Sequence, residues 1–548
     1  MQKIKYILLA SIFIVIAIIC FRHKQGHKKN DCHSLIPNIE IPVEVNFRYL
    51  ILDHGEIVFS ANDSSDFFLK SYFEGRVKDI VPQIKSAFNP VIIAGEISAV
   101  YDSNGNEEFK TTSDKLHEYI GTSSIQSIYS FQHGNLVFIK LSNDRGLYLI
   151  DLKSKTKKRI VDVAQKLHGV SFNVIKNSFV ISYDDKIILF DVSIDSITHL
   201  ADNLEGEKLN PFIYNNDVYF ANNSLSEFYQ IFKIDLYAPK QFDAKPFFKQ
   251  EHDLRIPKAI DHFLYFIEII NSEYLLKRVN LQTSEIDNIT QAGVVYNYDF
   301  LKNRQIAMVY SDLTTPKSLM IYNDQDRSFV NISGSKVNLE ITSSFVISQN
   351  NASSAYILQG TNIETRGVVL FIRPGMHSDF SPRWVDVLMN LCNNGYTILA
   401  PNFPMSTGYG KSFYNATFQQ AMDDLNDWKK YLQKQYKGIP LYCLSMSSGN
   451  IFMEELLSQN SKGFKAAVSL FGVPGKPNKK SFSVPTLYIL GENDPVVNFH
   501  DRYATLLEYQ KKHPTISVIS YPDEGHWFRG KRNTQNAIEE IIRHFCTF

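Results

Sequence analysis

Residues 45–345 repeat one pattern: an apolar run, a polar turn, a second apolar run ending near Asp or Asn, and a polar stretch. Such runs, separated by turn residues, are typical of β-hairpins. The first runs recur every 39 to 45 residues, at Ile57, Ile97, Leu136, Phe179, Val218, Phe263 and Ile306. The second runs recur every 40 to 45 residues, at Asp151, Asp191, Asp235, Asn280 and Asn323. Because a four-stranded propeller blade takes about 40–45 residues, the seven repeats predict a seven-bladed β-propeller over residues 46–345, with a β-sandwich or two β-domains as the alternative.

The rest of the chain, residues 346–548, changes to short apolar strands that alternate with helical segments. The predicted strands are 368–372, 396–400, 441–445, 466–471, 486–490 and 516–520. The predicted helices are 382–393, 417–436, 449–460, 501–512 and 534–546. This alternation predicts a mostly parallel sheet with helices on both faces. In such sheets, chemistry lies on loops at the carboxyl ends of the strands.

A third pattern lies at the N-terminus, where residues 6–21 form an uninterrupted apolar run with basic residues on both sides. As a helix this run spans about 24 Å, slightly less than the bilayer core. It lacks the small residues of a signal-peptide cleavage site. We therefore expect residues 1–30 to be an uncleaved, single-pass membrane anchor and residues 31–45 to be a linker, with the soluble part outside the cytoplasm. A cleaved signal and a buried soluble helix are the alternatives.

Composition excludes several classes of protein. Lys plus Arg equals Asp plus Glu at 57 each, so the chain lacks the basic excess of a nucleic-acid-binding protein. The first 30 residues carry six cations and no acid, so the rest has a net charge of −6. The 5 cysteines are scattered and include no CxxC pair, which argues against a disulfide scaffold or a metal site. We expect no metal and no cofactor.

Three loops of the α/β region carry residues suited to nucleophilic catalysis. Residues 445–449 read Ser-Met-Ser-Ser-Gly between a strand and a helix, as in the G-x-S-x-G nucleophile elbow, with Ser445 in the first glycine position. Asp494 follows the strand 486–490, and His526 follows the strand 516–520 beside a glycine. The order Ser447, Asp494, His526 is that of α/β-hydrolase triads.

These residue types complement one another chemically. Serine is a weak nucleophile until a base takes its proton, and a carboxylate must hold the imidazole in the correct tautomer. A turn serine, a helix-capping aspartate and an exposed histidine would explain each residue singly. Their placement after three strands of one predicted sheet favours a catalytic triad.

At these residues the chain resembles the prolyl oligopeptidase family of serine peptidases, as a divergent member closest to its acylaminoacyl- and dipeptidyl-peptidase branches. The segment 401–410, Pro-Asn-Phe-Pro-Met-Ser-Thr-Gly-Tyr-Gly, is similar to the family's P-N-Y-R-G-S-x-G-Y-G. Residues 491–496 and 521–526 resemble its G-x-x-D-x-x-V and Y-P-x-E-x-H signatures. The resemblance implies an N-terminal β-propeller joined to a C-terminal α/β-hydrolase domain.

The resemblance also implies an oxyanion hole, formed by the Tyr409 hydroxyl and the backbone N–H of Ser448. Such donors stabilise charge that appears only in the tetrahedral intermediate. Three positions depart from the family pattern. The H-G-G-P run is Arg373-Pro374-Gly375-Met376 here, the R-G pair is Pro404-Met405, and the elbow glycine is Ser445. None of these changes removes a proton-transfer group.

We therefore expect a membrane-anchored serine hydrolase, a peptidase that cleaves short peptides through an acyl-enzyme on Ser447. Two alternatives stay open: an esterase that uses the same triad, and a catalytically silent propeller–hydrolase scaffold. The motifs are equally compatible with exopeptidase and endopeptidase activity. The sequence carries no signal for an oligomeric state.

Overall fold

The computed structural model describes residues 42 and 44–548, except for short internal stretches. Those stretches are 52–55, 64–65, 85–86, 94–95, 104–105, 111–128, 134–135, 141–143, 152, 174–176, 238–241, 302–303, 334–336, 349–352, 478–480 and 529. The expected anchor, residues 1–30, and most of the expected linker lie outside this part of the chain. No helix within it is long and apolar enough to cross a membrane.

The N-terminal region forms seven antiparallel blades in chain order, each built from one continuous segment. A single parallel pairing of Tyr274 with Val294 joins blades 6 and 7 into one sheet. Blade 1 contains β1 (Glu44–Ile51), β2 (Ile57–Asp63), β3 (Asp66–Phe73) and β4 (Arg76–Ile84). Blade 2 contains β5 (Ala87–Ile93), β6 (Glu96–Ser103) and β7 (Asn106–Lys110). Blade 3 contains β8 (Tyr129–His133), β9 (Leu136–Lys140), β10 (Gly146–Asp151) and β11 (Thr156–Asp162). Blades 4 and 5 contain β12 (Leu167–Asn173), β13 (Ser178–Tyr183), β14 (Lys186–Asp191), β15 (Ser196–Leu200); and β16 (Leu209–Tyr214), β17 (Asp217–Asn222), β18 (Gln230–Asp235), β19 (Lys245–Phe248). Blades 6 and 7 contain β20 (Asp253–Ile260), β21 (Phe263–Ile270), β22 (Glu273–Asn280), β23 (Ile286–Asn288); and β24 (Val294–Phe300), β25 (Ile306–Ser311), β26 (Ser318–Asn323), β27 (Ser328–Asn331).

The seven repeats of the sequence lie in the second strand of each blade, and the second runs lie in the third strand. The propeller prediction is therefore confirmed. The outer strands escaped prediction because they are largely exposed, as in β11, where most side chains face solvent and apolar periodicity is absent. Tight turns join many of the paired strands, with Asp184, Asp261 and Asn271 in the left-handed region that two-residue hairpin loops require.

Apolar packing closes the ring between the first and the last blade. Ile57 and Phe59 of β2 lie in one core cluster with Val309 and Leu319 of blade 7. No strand is exchanged between these two blades among the described residues. The closure therefore depends on side-chain packing rather than on a shared β-ladder.

The C-terminal region is an eight-stranded sheet with the order β28-β29-β31-β30-β32-β33-β34-β35. Its strands are β28 (Ile341–Ile347), β29 (Ser354–Gly360), β30 (Gly367–Ile372), β31 (Tyr396–Asn402), β32 (Leu441–Met446), β33 (Phe464–Leu470), β34 (Thr486–Gly491) and β35 (Ile516–Tyr521). Its helices are α1 (Asp386–Asn393), α2 (Lys411–Tyr414), α3 (Phe418–Gln435), α4 (Gly449–Asn460), α5 (Phe499–Lys512) and α6 (Lys531–Thr547), with a short 3₁₀ turn at Ser481–Ser483. The strands from β30 to β35 are parallel, and β28 and β29 are antiparallel additions.

Two large cores cover the two faces of this sheet. Helices α1 and α6 pack on one face, and α3 and α4 pack on the other. The six predicted parallel strands are present, as are the five predicted helices, although α1 begins at Asp386 rather than at residue 382. Just before α1, the backbone N–H of Trp384 donates to the hydroxyl of Ser311 in the propeller, at 3.3 Å. Strand β28 straddles the boundary predicted after residue 345.

Candidate active site

The turn between β32 and α4 has the geometry of a nucleophile elbow. Ser447 adopts a left-handed conformation with φ of 50°, a strained position for a residue with a side chain. A Cβ on Gly449 would lie 2.4 Å from the Ile372 carbonyl oxygen, so only glycine fits there. At the first glycine position of the motif, the buried hydroxyl of Ser445 donates a hydrogen bond to Sδ of Met453, at 3.3 Å.

The structure brings the three predicted triad residues together. The Oγ atom of Ser447 lies 2.7 Å from Nε2 of His526, and Nδ1 of His526 lies 2.8 Å from Oδ2 of Asp494. The side chains of His526 and Asp494 are only 7% and 4% exposed. In the neutral imidazole, an Nδ1–H donated to Asp494 leaves Nε2 free to accept the serine proton.

The Asp494 loop is fixed by its own backbone. The other carboxylate oxygen of Asp494 accepts the N–H groups of Val496 and Val497, at 2.8 and 2.9 Å. A Cβ on Gly491, at the end of β34, would lie 2.2 Å from the Gly525 carbonyl oxygen. The aspartate and histidine loops therefore approach each other closely, and glycine permits the approach.

A buried ion pair beneath the elbow fixes the nucleophile's surroundings. Arg502 of α5 donates to Glu454 of α4 at 2.8 Å, with both side chains almost fully buried. Glu454 also accepts from Asn450, whose amide donates to the Val473 carbonyl at 2.8 Å. The Val473 N–H in turn donates to the Ser447 carbonyl at 3.0 Å. Sequence reasoning missed this network, because its members carry no motif and are up to 48 residues apart.

An aromatic group lies next to His526, the predicted general base. The Phe471 ring contacts the rings of His526 and Trp527, with centroid separations of 5.3 and 4.9 Å. Phe471 is buried, whereas Trp527 is 50% exposed. The site therefore has an apolar wall beside the imidazole of His526.

Arg373 lies in the loop after β30, at the position of the histidine in the H-G-G-P run that this segment departs from. Its guanidinium is buried and donates to the hydroxyls of Ser378 and Ser406, at 3.1 and 2.8 Å, and to the Gly375 carbonyl. Its Nε has no partner among the described residues. Burial lowers the pKa of Arg373 to about 10. This residue joins the loops that follow β30 and β31.

The expected oxyanion donors lie at the same edge of the sheet. Ser448 begins α4, directly after the nucleophile, so its N–H belongs to a helix N-terminus. The Tyr409 hydroxyl oxygen accepts hydrogen bonds from Ser272, Ser354 and Asn402, at 3.1, 2.9 and 3.0 Å. The oxyanion roles of Tyr409 and Ser448 stay predictions.

Comparison with known proteins agrees with this architecture. The model of the dienelactone hydrolase family matches residues 355–544. No curated protein matches the chain by sequence.

Three solved structures are similar over nearly the whole chain. A prolyl endopeptidase is 10% identical with a TM-score of 0.75, covering 97% of this chain and 93% of its own. The puromycin-hydrolysing peptidase of Mycobacterium tuberculosis is 11% identical with a TM-score of 0.71, covering 94% and 95%. Oligopeptidase B of Leishmania major is 10% identical with a TM-score of 0.70, covering 95% and 90%. These neighbours are peptidases, and the likeness confirms the predicted propeller–hydrolase fold.

Proposed function

We propose that this chain, which shares its fold with these peptidases, is a serine-type peptidase that cleaves short peptides through an acyl-enzyme on Ser447. One observation carries the proposal. The relay from Ser447 through His526 to Asp494 has hydrogen-bond geometry at both steps, at a strained elbow. Strain of this kind is typical of functional sites, where a reactive side chain must project from a tight turn.

In the proposed mechanism, Ser447 Oγ attacks the scissile carbonyl while His526 Nε2 takes its proton. Asp494 holds the imidazole and stabilises the imidazolium. The oxyanion of the tetrahedral intermediate accepts hydrogen bonds from the Ser448 N–H and the Tyr409 hydroxyl. His526 then protonates the leaving amine, which departs and leaves the acyl group on Ser447. Water deprotonated by His526 releases the acid product and regenerates the serine.

Short peptides are the proposed substrates because the propeller contacts the hydrolase loops at the edge of the sheet that carries the triad. Glu227, between β17 and β18, accepts hydrogen bonds from the N–H and hydroxyl of Ser412, at 2.8 and 2.9 Å. Ile269 of β21 packs against Gly408. A folded protein substrate would have to displace these contacts to reach Ser447.

An esterase is the second candidate, and the match to the dienelactone hydrolase family favours it. Ester and amide hydrolysis use the same acyl chemistry, but amide cleavage also requires protonation of a poor leaving group. Turnover of a peptide library compared with that of aryl esters separates the two. A peptidase turns over both, whereas an esterase leaves the peptides intact.

We also propose that residues 6–21 anchor the protein in a membrane, with the catalytic part outside the cytoplasm. The support is the apolar run with its basic flanks. A reporter enzyme fused after residue 40 tests the orientation. Activity of the reporter on the cytoplasmic side would reject it, and recovery of the full chain in the soluble fraction would reject the anchor.

A fluorophosphonate probe tests the catalytic proposal directly, because it phosphonylates only an activated serine, with loss of fluoride. We expect labelling of the full chain and none of Ser447→Ala. Ser445→Ala is the matched control, since it makes the same change two residues away and should label normally. Absence of labelling in a well-folded wild-type protein would leave the silent scaffold as the correct account.

A further inference from the structure

We infer that Asn450, in the first turn of α4, is a positioning residue that ties the segment 470–475 to the nucleophile elbow and so holds Ser447 in its strained conformation. The inference rests on the proposed function, since it needs Ser447 to be the nucleophile. It assigns a part in the chemistry to a residue outside the triad, one that acts through the backbone of Ser447 rather than on the reacting atoms.

The segment 470–475 binds the backbone of Ser447 on both sides. The Ser447 N–H donates to the Leu470 carbonyl at 3.0 Å, and the Ser447 carbonyl accepts the N–H of Val473, also at 3.0 Å. The φ of Ser447, 50°, costs energy in a residue with a side chain and persists only where the surrounding structure enforces it. These two bonds are part of that enforcement. In the enforced conformation, Ser447 Oγ lies 2.7 Å from Nε2 of His526.

Asn450 holds this segment through its side-chain amide. Its Nδ2 donates to the Val473 carbonyl at 2.8 Å and to Oε1 of Glu454 at 2.9 Å. Both partners are acceptors, so the nitrogen of the amide rather than its oxygen faces them. The backbone N–H of Asn450 also donates to the Ser447 carbonyl, at 3.0 Å. Asn450 therefore binds Ser447 through its main chain, and through its side chain it binds the residue that shares the Ser447 carbonyl.

A second bond ties the same segment to α4. The Gly475 N–H donates to Oε2 of Glu454 at 2.9 Å, and Oε1 of Glu454 accepts from Asn450 and Arg502. The segment can approach α4 this closely because residue 472 is glycine, where a Cβ would lie 2.7 Å from Cβ of Asn450. Asn450 lies between the two points of attachment and is fully buried.

The segment 470–475 also contacts His526, the proposed general base. Phe471 lies between the two residues that bind Ser447, and its ring centroid is 5.3 Å from that of the imidazole. Its φ of 39° is strained as well, and its N–H donates to the Ile489 carbonyl at 2.7 Å. A shift of the segment would therefore change the position of Ser447 relative to His526. Because proton transfer needs these two side chains in hydrogen-bond geometry, we expect such a shift to lower kcat rather than to raise KM.

Asn450→Ala tests the inference, because it deletes the amide and leaves the ion pair of Glu454 with Arg502 in place. Alanine also favours a helix, so the variant is expected to fold, and its thermal unfolding verifies this. We expect kcat to fall about tenfold with KM unchanged, as for loss of one buried hydrogen bond that maintains the reacting geometry. The rate at which the fluorophosphonate probe labels Ser447 should fall by about the same factor.

Tyr488→Phe is the matched control. The Tyr488 hydroxyl donates to the same oxygen of Glu454, at 3.2 Å, and makes no hydrogen bond to the segment 470–475 among the described residues. We expect its kcat to equal that of the wild type. A loss in Tyr488→Phe as large as in Asn450→Ala would mean that only the integrity of the buried network matters, and it would overturn the inference. Wild-type kcat in a folded Asn450→Ala variant would overturn it as well.

A second readout does not depend on activity. Amide hydrogen exchange, followed by mass spectrometry without substrate, reports how firmly the segment 470–475 is held. We expect faster exchange of this segment in Asn450→Ala and unchanged exchange in Tyr488→Phe. Unchanged exchange in Asn450→Ala would contradict the inference.

The two readouts separate the inference from the proposed function. If the fluorophosphonate probe fails to label the wild type while exchange of the segment 470–475 still rises in Asn450→Ala, the proposed function fails and the structural part of the inference, the hold on the elbow, stands. If the probe labels the wild type and Asn450→Ala at the same rate, the proposed function stands and the inference fails.

Discussion

The two sides of the candidate active site differ in whether their buried charged groups have partners of opposite charge. On the triad side, Asp494 is paired with His526 and two backbone N–H groups, and Glu454 is paired with Arg502. On the side of β29, β30 and β31, Arg373 has no carboxylate within ion-pair distance among the described residues, and Asp424 has one oxygen without a partner. Pairing offsets part of the desolvation cost of a buried charge, whereas a buried charge without a partner costs stability. The buried charges around the proposed relay are therefore paired within that side of the site, whereas those on the side of β29, β30 and β31 are not.

The largest expected effect comes from removing the base of the relay. His526→Ala should lower kcat about 10⁴–10⁶-fold, because Ser447 then keeps its proton. Initial rates on the best peptide or ester substrate measure the loss. His500→Ala, an exposed histidine on α5, is the control and should keep wild-type activity. A fall of less than about 100-fold would mean that the relay does not carry the reaction.

Breaking the buried ion pair between Arg502 and Glu454 should give the largest change in stability. Arg502→Met leaves Glu454 as an unpaired buried charge, which should lower the free energy of unfolding by about 3–5 kcal/mol. All three tryptophans lie in the hydrolase domain, so their fluorescence follows its unfolding. Arg543→Met, which breaks the partly exposed pair with Glu540, should cost less than about 1 kcal/mol. Equal costs would remove the contrast between a buried and a surface pair.

Neutralising Asp424 on the opposite side should stabilise the protein instead. Burial raises the pKa of Asp424 to about 6, above its value in the unfolded chain. A raised carboxyl pKa means that its stabilising contribution is present at low pH and is lost as pH rises through about 4 to 6. At pH 8, Asp424→Asn should raise the free energy of unfolding by about 1–2 kcal/mol, less than the full shift because the new amide N–H lacks a partner.

The pH dependence distinguishes this account from a simple packing effect. Below pH 4 the advantage of Asp424→Asn should vanish or reverse, because the wild-type carboxyl is then neutral. Asp427→Asn, on the exposed face of the same helix, is the control and should show no such dependence. A gain of equal size at pH 4 and pH 8 would contradict the assignment of a buried charge.

The smallest expected effect comes from the exposed contact between Glu227 of the propeller and Ser412 of the hydrolase domain. Glu227 is exposed and accepts two hydrogen bonds from Ser412, so Glu227→Gln keeps one acceptor in place. We expect kcat/KM to fall by no more than about threefold, because a solvent-exposed contact contributes little. A loss of more than about tenfold would mean that activity depends on this exposed contact between the domains.

The triad could be predicted from the sequence because each member lies within a few residues of the end of an apolar strand. The residues around Tyr409 could not be predicted in this way. Ser272 is 137 positions from Tyr409, and Ser354 is 55 positions away, so no local pattern joins them. Serines in turns and strand ends are also common, and only the fold shows which ones are buried against a partner.

Burial and apolar periodicity also decide most of the strands that could be predicted from the sequence. The second and third strands of blades 4 to 7 are mostly apolar and buried, as in β13, and periodicity locates them. Strand β28 is mostly exposed, and its sequence mixes serine and threonine with apolar residues. Exposure therefore explains why β28 was missed. It does not explain β29, which was also missed although residues 354–358 are buried. The six parallel strands were located correctly.

The central claim is that the reaction passes through an acyl group on Ser447, and acid quenching during turnover tests it most directly. The protein is mixed with an activated ester, quenched within the first turnovers, and digested for mass spectrometry. We predict that the peptide containing Ser447 gains the mass of the acyl group, and that His526→Ala gains none. Full turnover without an adduct on that peptide, or an adduct on another residue that Ser447→Ala retains, would contradict the account.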